Sequence, residues 1–356
     1  MKIGLLTSGG DCPGLNAVMR AFTRFAFLNL PRPEILGFKD GYTGLIENNF
    51  IPVGEHFFDD LLYTGGTILG SIRQPFKNMA DPAEDGVSKL DKMVENYRRL
   101  GLDCLVTLGG AGTHKTAAML SAEGCNVIGL PKTIDNDIWG TEFTFGFDTA
   151  AEVAAKCVRE MHATAYSHGR TILVEVMGNK TGWLSLYAAV AGGAHACILP
   201  EFPYDETALA EYIARRRENG ARYDVIVVAE GAMTKEESGW KRKEMLLRRK
   251  ELGYSTATSR IARAIENRTG AEARVQVIGY LQRGAEPNAH DRALCTMMGA
   301  YAGELVKEGR FGVTVAVEGG RITYNPLSDI AGRTKFITPE NPMYLAAKST
   351  GIYFGD

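Results

Sequence analysis

The chain has 356 residues, 45% of them hydrophobic and 23% charged, with a formal net charge of −2. This length exceeds the usual single hydrophobic core and predicts two lobes, while the balanced charge argues against a nucleic-acid binder, which normally has an excess of Lys and Arg. The six cysteines lack the spacing of a zinc site or a disulfide framework. Because the sequence has neither a membrane-length apolar run nor a signal-peptide pattern at its start, we expect a soluble, cytoplasmic protein without membrane or nucleic-acid partners.

Short apolar runs that end at Gly or Pro recur along the chain, and helix-length segments follow them. The first run, residues 3–7, leads into a glycine-rich turn and then into an amphipathic segment from Leu15 to about Leu28. A second helical segment, near 113–121, follows the apolar run at 105–108. Strands that alternate with helices indicate βαβ units and a parallel sheet. The other strand candidates are residues 127–130, 172–176, 225–229, 275–278 and 313–317.

Residues 234–250 are crowded with charged side chains of both signs. Mixed charge favours a solvated helix over a disordered tail. We prefer this interpretation to that of a binding surface.

Two glycine-rich loops directly follow predicted strands, one at residues 8–16 and the other at 109–113. Glycines let the backbone approach a phosphate chain closely and direct N–H groups toward it. One such loop is weak support for phosphate binding, because tight turns explain many of them. Two loops of this kind favour a phosphate-binding protein more strongly.

A third loop, residues 131–138, contains two carboxylates, an amide, a hydroxyl and an ammonium group. A lone Asp-Asn-Asp is usually a turn, but beside two phosphate-binding loops a catalytic role is the better interpretation. Phosphoryl transfer needs a base near the acceptor hydroxyl, which Asp135 or Asp137 can supply. It also needs cations to offset charge on the phosphoryl oxygens, for which Lys132 and Arg73 are suited.

Six runs resemble the phosphofructokinase family, and they occur in family order: residues 9–17, 65–73, 131–137, 175–178, 229–231 and 278–284. The resemblance implies an α/β fold with two Rossmann-like lobes, parallel sheets and the active site in the cleft between them. It implies a larger donor-binding lobe at 1–146 plus 281–332. A smaller sugar-phosphate-binding lobe would cover 147–280 plus 333–356. Family members usually assemble, which implies a homodimer or homotetramer.

The resemblance implies a 6-phosphofructokinase of glycolysis, which uses Mg²⁺ to transfer a phosphoryl group from ATP to the 1-hydroxyl of D-fructose 6-phosphate, giving fructose 1,6-bisphosphate. Asp135 would be the base, with Thr133, Asp137 and Lys132 beside it, and Arg73 would bridge the transferring group. The implied donor-binding positions are Gly10, Tyr42, Arg73, Gly112 and Thr113. The implied sugar-phosphate positions are Thr133, Asp135, Arg170, Met177, Gly178, Asn179, Glu230, Arg274, Tyr280 and Arg283, of which Arg170 and Arg274 would act from a neighbouring subunit.

Two positions separate the ATP-dependent from the pyrophosphate-dependent members, and here they are Gly112 and Lys132. Typical ATP enzymes of the family have glycine at both positions, whereas pyrophosphate enzymes have aspartate at the first and lysine at the second. Glycine at 112 leaves room for a nucleotide, so we favour ATP. A pyrophosphate-dependent fructose-6-phosphate 1-phosphotransferase is the alternative.

Ala111 is a further departure from the family pattern, because the family has a magnesium-positioning aspartate at this position. Asn179 stands where the family commonly has arginine. Alanine cannot bind a cation that prefers oxygen ligands, so the metal site is unknown. Mg²⁺ on the donor phosphates, with water and Asp135 or Asp137, is one solution. A catalytically weak paralogue that binds sugar phosphate is the other alternative.

Overall fold

The computed structural model describes residues 1–82 and 86–356, which form two compact units. The first unit comprises Met1–Thr149 and Arg283–Lys335, and the second comprises Ala150–Gln282 and Phe336–Asp356. Each of these boundaries lies within three residues of the corresponding lobe boundary expected from the sequence. Within the described ranges, no helix is both long and apolar enough to span a bilayer.

Strands and helices alternate along most of the described chain. The strands are β1 (Lys2–Ser8), β2 (Glu34–Phe38), β3 (Phe50–Val53), β4 (Cys104–Gly109), β5 (Val127–Pro131), β6 (Thr171–Val176), β7 (Ala196–Ile198), β8 (Asp224–Ala229), β9 (Ala273–Val277), β10 (Val313–Glu318) and β11 (Arg321–Pro326). The helices are α1 (Leu15–Asn29), α2 (Tyr42–Glu47), α3 (Lys89–Arg99), α4 (Ala111–Ala122), α5 (Phe147–His168), α6 (Trp183–Gly192), α7 (Glu206–Glu218), α8 (Arg242–Glu251), α9 (Ala257–Thr269), α10 (Leu281–Gly284), α11 (Ala289–Lys307), α12 (Leu327–Ile330) and α13 (Pro342–Ser349). Short 3₁₀ helices cover Asp59–Leu61, Phe76–Asn78 and Glu237–Gly239.

The first unit is built on a seven-stranded sheet with the order β11-β10-β5-β4-β1-β2-β3. The inner strands are parallel, and the two edge strands, β3 and β11, pair antiparallel with their neighbours. Strands β4 and β5 are buried throughout, as expected for the continuous apolar runs of a parallel sheet covered on both faces. In register, Ser8 lies beside Gly109, and Gly109 lies beside Pro131. The three loops predicted from the sequence therefore leave the same edge of the sheet.

Helix α1 follows the first of these loops and packs closely on α11. A Cβ atom added at Gly299 would lie 2.6 Å from the carbonyl oxygen of Val18, and one at Gly303 would lie 2.2 Å from the ring of Phe25. The two glycines are four residues apart and share one helix face, so together they allow the close approach. This packing fixes the direction in which α1 leaves the loop.

The second unit contains a parallel four-stranded sheet with the order β7-β8-β6-β9. Strands β6 and β8 end in register at Val176 and Ala229, so the segments after them start side by side. Strand β9 pairs with β6 alone among the described strands and exposes most of its side chains. The expected α/β fold with parallel sheets is confirmed in both units.

The charged stretch at 234–250 was only partly predicted. It does contain a helix, α8, but the ion pair between Glu237 and Arg249, with a 2.7 Å contact, is buried. Arg260 of α9 adds a second contact to Glu237 at 3.2 Å. The expectation of a wholly solvated helix is therefore wrong at Arg249, because two arginines from different helices satisfy one buried carboxylate.

Candidate active site

A cavity of about 420 Å³ lies in the first unit. Four glycines, two hydroxyl side chains and three charged side chains line it: Gly9, Gly10, Gly66, Gly70, Thr67, Ser71, Asp11, Arg73 and Arg283. Exposed glycine backbone and two guanidinium groups are the features that bind phosphate oxygens. The cavity is therefore suited to a polyphosphate, and it unites Arg73, expected to bind the donor, with Arg283, expected to bind the sugar phosphate.

Hydrogen bonds join the two glycine-rich walls of this cavity. The Ser71 hydroxyl donates to the Gly9 carbonyl at 2.7 Å, and the Thr7 hydroxyl donates to the Gly70 carbonyl at 2.8 Å. The Asn16 amide donates to Thr64 and accepts from the backbone N–H of Ile68, both at 3.0 Å. Asn16 belongs to the first motif but had no role in the sequence analysis, since its partners lie about fifty residues away.

Gly10 lies directly against Arg283. A Cβ atom added at Gly10 would be 3.2 Å from the guanidinium carbon, so any larger residue would displace that group. The Arg283 guanidinium is 4.0 Å from the carboxylate of Asp11. Glycine at position 10 thus allows this close approach of the Arg283 guanidinium.

The second glycine loop forms the start of α4, with Gly110 as the residue before the first helical turn. A Cβ atom at Gly109 would lie 2.1 Å from the Thr113 hydroxyl, whereas one at Gly112 would meet no atom within 4 Å. Gly109 is therefore required by packing, and Gly112 is not. The first N–H groups of a helix have no intrahelical acceptor, so this turn can bind an anion.

Tyr42 and Thr113, both expected to bind the donor, bond to each other. The Tyr42 hydroxyl donates to the Thr113 carbonyl at 2.9 Å, and both residues are buried. The Thr113 hydroxyl lies 3.5 Å from the Ser8 carbonyl. In this structure Tyr42 supports the loop from beneath, rather than offering its hydroxyl to a ligand.

Lys132 is buried below the first glycine turn. Its ammonium donates a hydrogen bond to the Gly10 carbonyl, and a Cβ atom at Gly9 would lie 3.6 Å from the ammonium nitrogen. Burial lowers the pKa of Lys132 and the Arg283 charge lowers it further, while Cys12 and Asp135 act in the opposite direction. The charge of Lys132 is thus placed inside the protein, behind the turn.

The segment that contains Asp135 is held by its neighbours. The Asp135 backbone N–H donates to the Thr133 hydroxyl at 3.1 Å, and the Thr144 hydroxyl donates to the Thr133 carbonyl at 2.7 Å. Asn136 adopts a left-handed conformation (φ 50°) and accepts a 3.1 Å hydrogen bond from the Thr144 backbone. Asn136 is buried and shapes the loop, whereas Asp135 is only partly buried.

Asp137 is next to a cation that the sequence analysis missed. The Lys335 ammonium donates to the carbonyls of Thr141 and Glu142, both at 2.8 Å, and its backbone N–H donates to the Asp137 carbonyl at 2.9 Å. Burial raises the pKa of Asp137, while Lys335 and then Lys132 oppose that rise. Burial lowers the pKa of Lys335 to about 8. The Asp137 backbone is thus joined to the segment that contains Lys335.

In the second unit, Glu230 organises the segment after β6. Its carboxylate accepts N–H groups from Asn179 at 2.7 Å and from Gly178 at 3.3 Å. Gly178 and Asn179 both have positive φ, and a Cβ atom at Gly231 would lie 2.0 Å from the Asn179 carbonyl. Gly178, Asn179 and Glu230, all expected to bind the sugar phosphate, therefore lie together. Met177, which directly precedes Gly178, is partly buried.

Asn179 has a cationic neighbour, although it stands where the family commonly has arginine. Arg242, at the start of α8, donates to the Asn179 side-chain oxygen at 2.8 Å. The two arginines expected to act from a neighbouring subunit, Arg170 and Arg274, both pair with Glu272. The Tyr280 side chain is exposed.

The chain matches known proteins over most of its length. Residues 2–306 match the family model described as phosphofructokinase. The chain belongs to the phosphofructokinase family. It is 46% identical over 358 residues to the ATP-dependent 6-phosphofructokinase of Spirochaeta thermophila, covering 99% of this chain and 97% of the relative. It is 41% identical to ATP-dependent 6-phosphofructokinase 3 of Bacteroides thetaiotaomicron, covering all of both chains.

Solved phosphofructokinases share the fold. The T-state phosphofructokinase of Pichia pastoris superposes with a TM-score of 0.79 at 29% identity, over 93% of this chain and 35% of the yeast chain. This chain therefore spans about a third of that larger phosphofructokinase. A pyrophosphate-dependent phosphofructokinase from Marinobacter aquaeolei superposes with a TM-score of 0.80 at 20% identity, over 100% of this chain and 93% of that one, which indicates the fold alone. The predicted family is confirmed.

Proposed function

We propose that this protein is an ATP-dependent 6-phosphofructokinase, which transfers the terminal phosphoryl group of ATP to the 1-hydroxyl of D-fructose 6-phosphate. The main support for this activity is the cavity lined by glycine backbone, Arg73 and Arg283. It lies at the sheet edge from which the Asp135 loop also leaves. The full-length relatives named as ATP-dependent enzymes support the same activity. We propose that the enzyme acts in cytoplasmic glycolysis.

In this proposal Asp135 accepts the proton of the 1-hydroxyl as the oxygen attacks the terminal phosphorus, and the bond to the ADP oxygen breaks. Arg73 and Arg283 offset charge on the phosphoryl oxygens, and preorganised groups of this kind supply much of the catalysis in phosphoryl transfer. Thr133 holds the Asp135 backbone, and Lys132 holds the Gly10 turn against the donor. Met177, Gly178, Asn179 and Glu230 of the second unit bind the sugar phosphate, together with Tyr280, Arg170 and Arg274.

ATP is the proposed donor in preference to pyrophosphate because of Gly112. The space where its side chain would project is open, so nothing at this position restricts a bulky donor. Lys132, the residue that favours pyrophosphate, directs its ammonium to the Gly10 carbonyl instead of adding an open cationic surface. Pyrophosphate is the second candidate, and it is favoured only by the family pattern in which pyrophosphate enzymes have lysine at position 132.

The residues present fit a magnesium ion that arrives on the donor phosphates. Among residues 1–82 and 86–356, no three His, Cys, Asp or Glu side chains form a metal-binding cluster, and Ala111 offers no oxygen ligand. Mg²⁺ usually keeps several waters and needs only one or two carboxylates beside substrate phosphates. Asp11 in the cavity wall would hold it together with water, and the ion would neutralise charge on the transferring group.

We propose that the enzyme is a homodimer or homotetramer. Strand β9 is an edge of its sheet, and Val277 on it and Tyr280 just beyond it are 54% and 76% exposed. An edge strand with exposed apolar side chains is suited to pairing with a second copy. Arg170 and Arg274 would then complete the sugar-phosphate site of the neighbouring subunit.

A coupled assay tests this function, with fructose 6-phosphate and either ATP or pyrophosphate at several Mg²⁺ concentrations. We expect fructose 1,6-bisphosphate to form with ATP in a Mg²⁺-dependent reaction. Turnover with pyrophosphate alone would overturn the donor assignment. Tight binding of fructose 6-phosphate without turnover with either donor would favour the weak paralogue.

A further inference from the structure

His114 lies in the first turn of α4, directly behind the second glycine loop, and both of its ring nitrogens are bonded. Nδ1 is 3.0 Å from the Gly110 carbonyl oxygen, and Nε2 is 2.8 Å from the Thr314 hydroxyl on β10. The Gly110 carbonyl also accepts the backbone N–H of His114 at 3.1 Å. One residue thus supplies two donors to a single carbonyl of the loop.

The partners determine the tautomer of His114. A carbonyl oxygen can only accept, so Nδ1 carries the proton, and Nε2 accepts a hydrogen bond from the Thr314 hydroxyl. Burial lowers the pKa of His114 to about 4, the Gly110 carbonyl opposes that shift, and the nearby Lys132 charge adds to it. The ring is therefore neutral at physiological pH, with its tautomer fixed.

The surrounding structure leaves space for this contact. A Cβ atom added at Gly129 of β5 would lie 2.9 Å from the Thr314 hydroxyl and 3.0 Å from His114 Nε2. Only glycine at this strand position allows the pair to form, and both partners are buried. The contact joins α4 to β10 across β5, so it links the loop to a strand far away in sequence.

We propose that His114 is a positioning residue for the donor, acting through the Gly110 carbonyl and anchored by Thr314. The inference rests on the proposed donor-binding role of residues 109–113. With the Gly110 carbonyl bonded to His114 and the Thr113 carbonyl bonded to Tyr42, the carbonyls of the loop are directed into the protein. The N–H groups of the same turn are then oriented toward the donor phosphates, where small displacements are costly.

Three variants separate positioning from simple stability. His114→Leu removes the donor to Gly110, whereas His114→Asn keeps an N–H donor near the Nδ1 position. Thr314→Val removes the anchor from the far side of the ring, without touching the loop. Thr171→Val is the matched control, because it removes a buried strand hydroxyl that accepts from Arg217 at 3.1 Å in the second unit.

Each variant is characterised by steady-state kinetics, which give kcat and the KM values for ATP and for fructose 6-phosphate. Its unfolding midpoint and its calorimetric affinity for MgATP are measured as well. We expect His114→Leu to weaken ATP binding about fivefold or more, the effect of one lost hydrogen bond, with KM for fructose 6-phosphate unchanged. Thr314→Val leaves the bond to Gly110 in place, so it should weaken ATP binding by only about twofold. His114→Asn should stay within about twofold of the parent. Thr171→Val should lower the unfolding midpoint alone.

Equal ATP affinity in all four variants, or equal loss in His114→Leu and His114→Asn, would overturn the positioning role. Failure of the parent to bind MgATP would overturn it as well. Binding of MgATP without turnover would contradict the proposed kinase activity, yet a selective loss in His114→Leu would still support the inference. The two claims therefore fail on different measurements.

Discussion

The ammonium group of Lys132 donates a hydrogen bond to the carbonyl oxygen of Gly10, so the end of β5 is fastened to the turn that follows β1. The contact directs the Gly10 carbonyl inward. A buried cation thereby helps to shape the turn that lines the cavity. The residue that suggested pyrophosphate in the sequence has a structural role for any donor.

Lys132→Met should weaken donor binding without changing donor preference. The change leaves the Gly10 carbonyl without its partner, and the turn loses a hydrogen bond to a charged group, worth about 2 kcal/mol. We expect KM to rise at least about tenfold for ATP, with the ratio of pyrophosphate to ATP activity unchanged. A shift of that ratio in steady-state assays would mean that Lys132 itself selects the donor.

Gly112→Asp should block ATP while leaving the fold intact. The open space at Gly112 accepts a side chain, and replacing a helical glycine, here with an acid in the first turn, stabilises a helix by up to about 1 kcal/mol. We expect kcat/KM for ATP to fall at least about tenfold through repulsion of the phosphates. Gly112→Ala is the control, since it adds a side chain without charge and should keep most of the activity.

Ala111→Asp should lower the Mg²⁺ concentration that gives half-maximal activity. The substitution adds a carboxylate to the first turn of α4, where no acidic side chain is present among its residues. A hard cation gains an oxygen ligand, so we expect a reduction of about tenfold in a magnesium titration with ATP held constant. Ala111→Asn adds a side chain of similar size without the charge. Equal titrations for parent, Asp and Asn variants would mean that this position lies away from the metal.

Acid should destabilise the protein between about pH 6.5 and pH 4, because burial lowers the pKa of His114 and of His195 to about 4 from 6.5. In that window the unfolded chain binds more protons than the folded chain, so the free energy of unfolding falls as the pH falls. His114 is fully buried and accounts for about 3 kcal/mol, whereas the partly exposed His195 contributes less.

Denaturant unfolding at several pH values checks this expectation. His114→Phe cannot take up a proton, so its stability should depend less steeply on pH below about 6.5 than that of the parent. The variant also loses the bond to Gly110, so it should be less stable than the parent at neutral pH. Parallel pH curves for parent and variant would exclude His114 as a source of acid sensitivity.

The parts of the fold that the sequence predicted best are its buried parallel strands. Runs such as residues 105–108 and 127–130 are apolar on both faces, which a central strand of a covered sheet requires. Four of the described strands were missed. Strands β3 and β11 are edge strands that are short or half-exposed and carry no such run. Strand β7 has only three residues, and the apolar run of β2 is interrupted by Gly37. Burial of the Glu237–Arg249 pair depends on Arg260 of another helix, which no local pattern reveals.

The candidate site divides in the same way. The loops around Gly10, Gly112 and Asp135 could be found in the sequence, since each combines residue types that packing alone does not require. The sequence does not reveal that Lys132 points inward or that Lys335 anchors the loop, because both features depend on carbonyl groups that the fold brings near. Supporting groups of this kind become visible only when distant segments are assembled.

The most direct test of the account is the rate at which Asp135→Asn phosphorylates fructose 6-phosphate with MgATP. Asparagine keeps the size of the side chain but cannot accept the proton of the 1-hydroxyl. We expect kcat to fall by a factor of roughly 10² to 10⁴, with the unfolding midpoint and both KM values close to those of the parent. An Asp135→Asn enzyme that turns over as fast as the parent would contradict the assignment of Asp135 as the catalytic base.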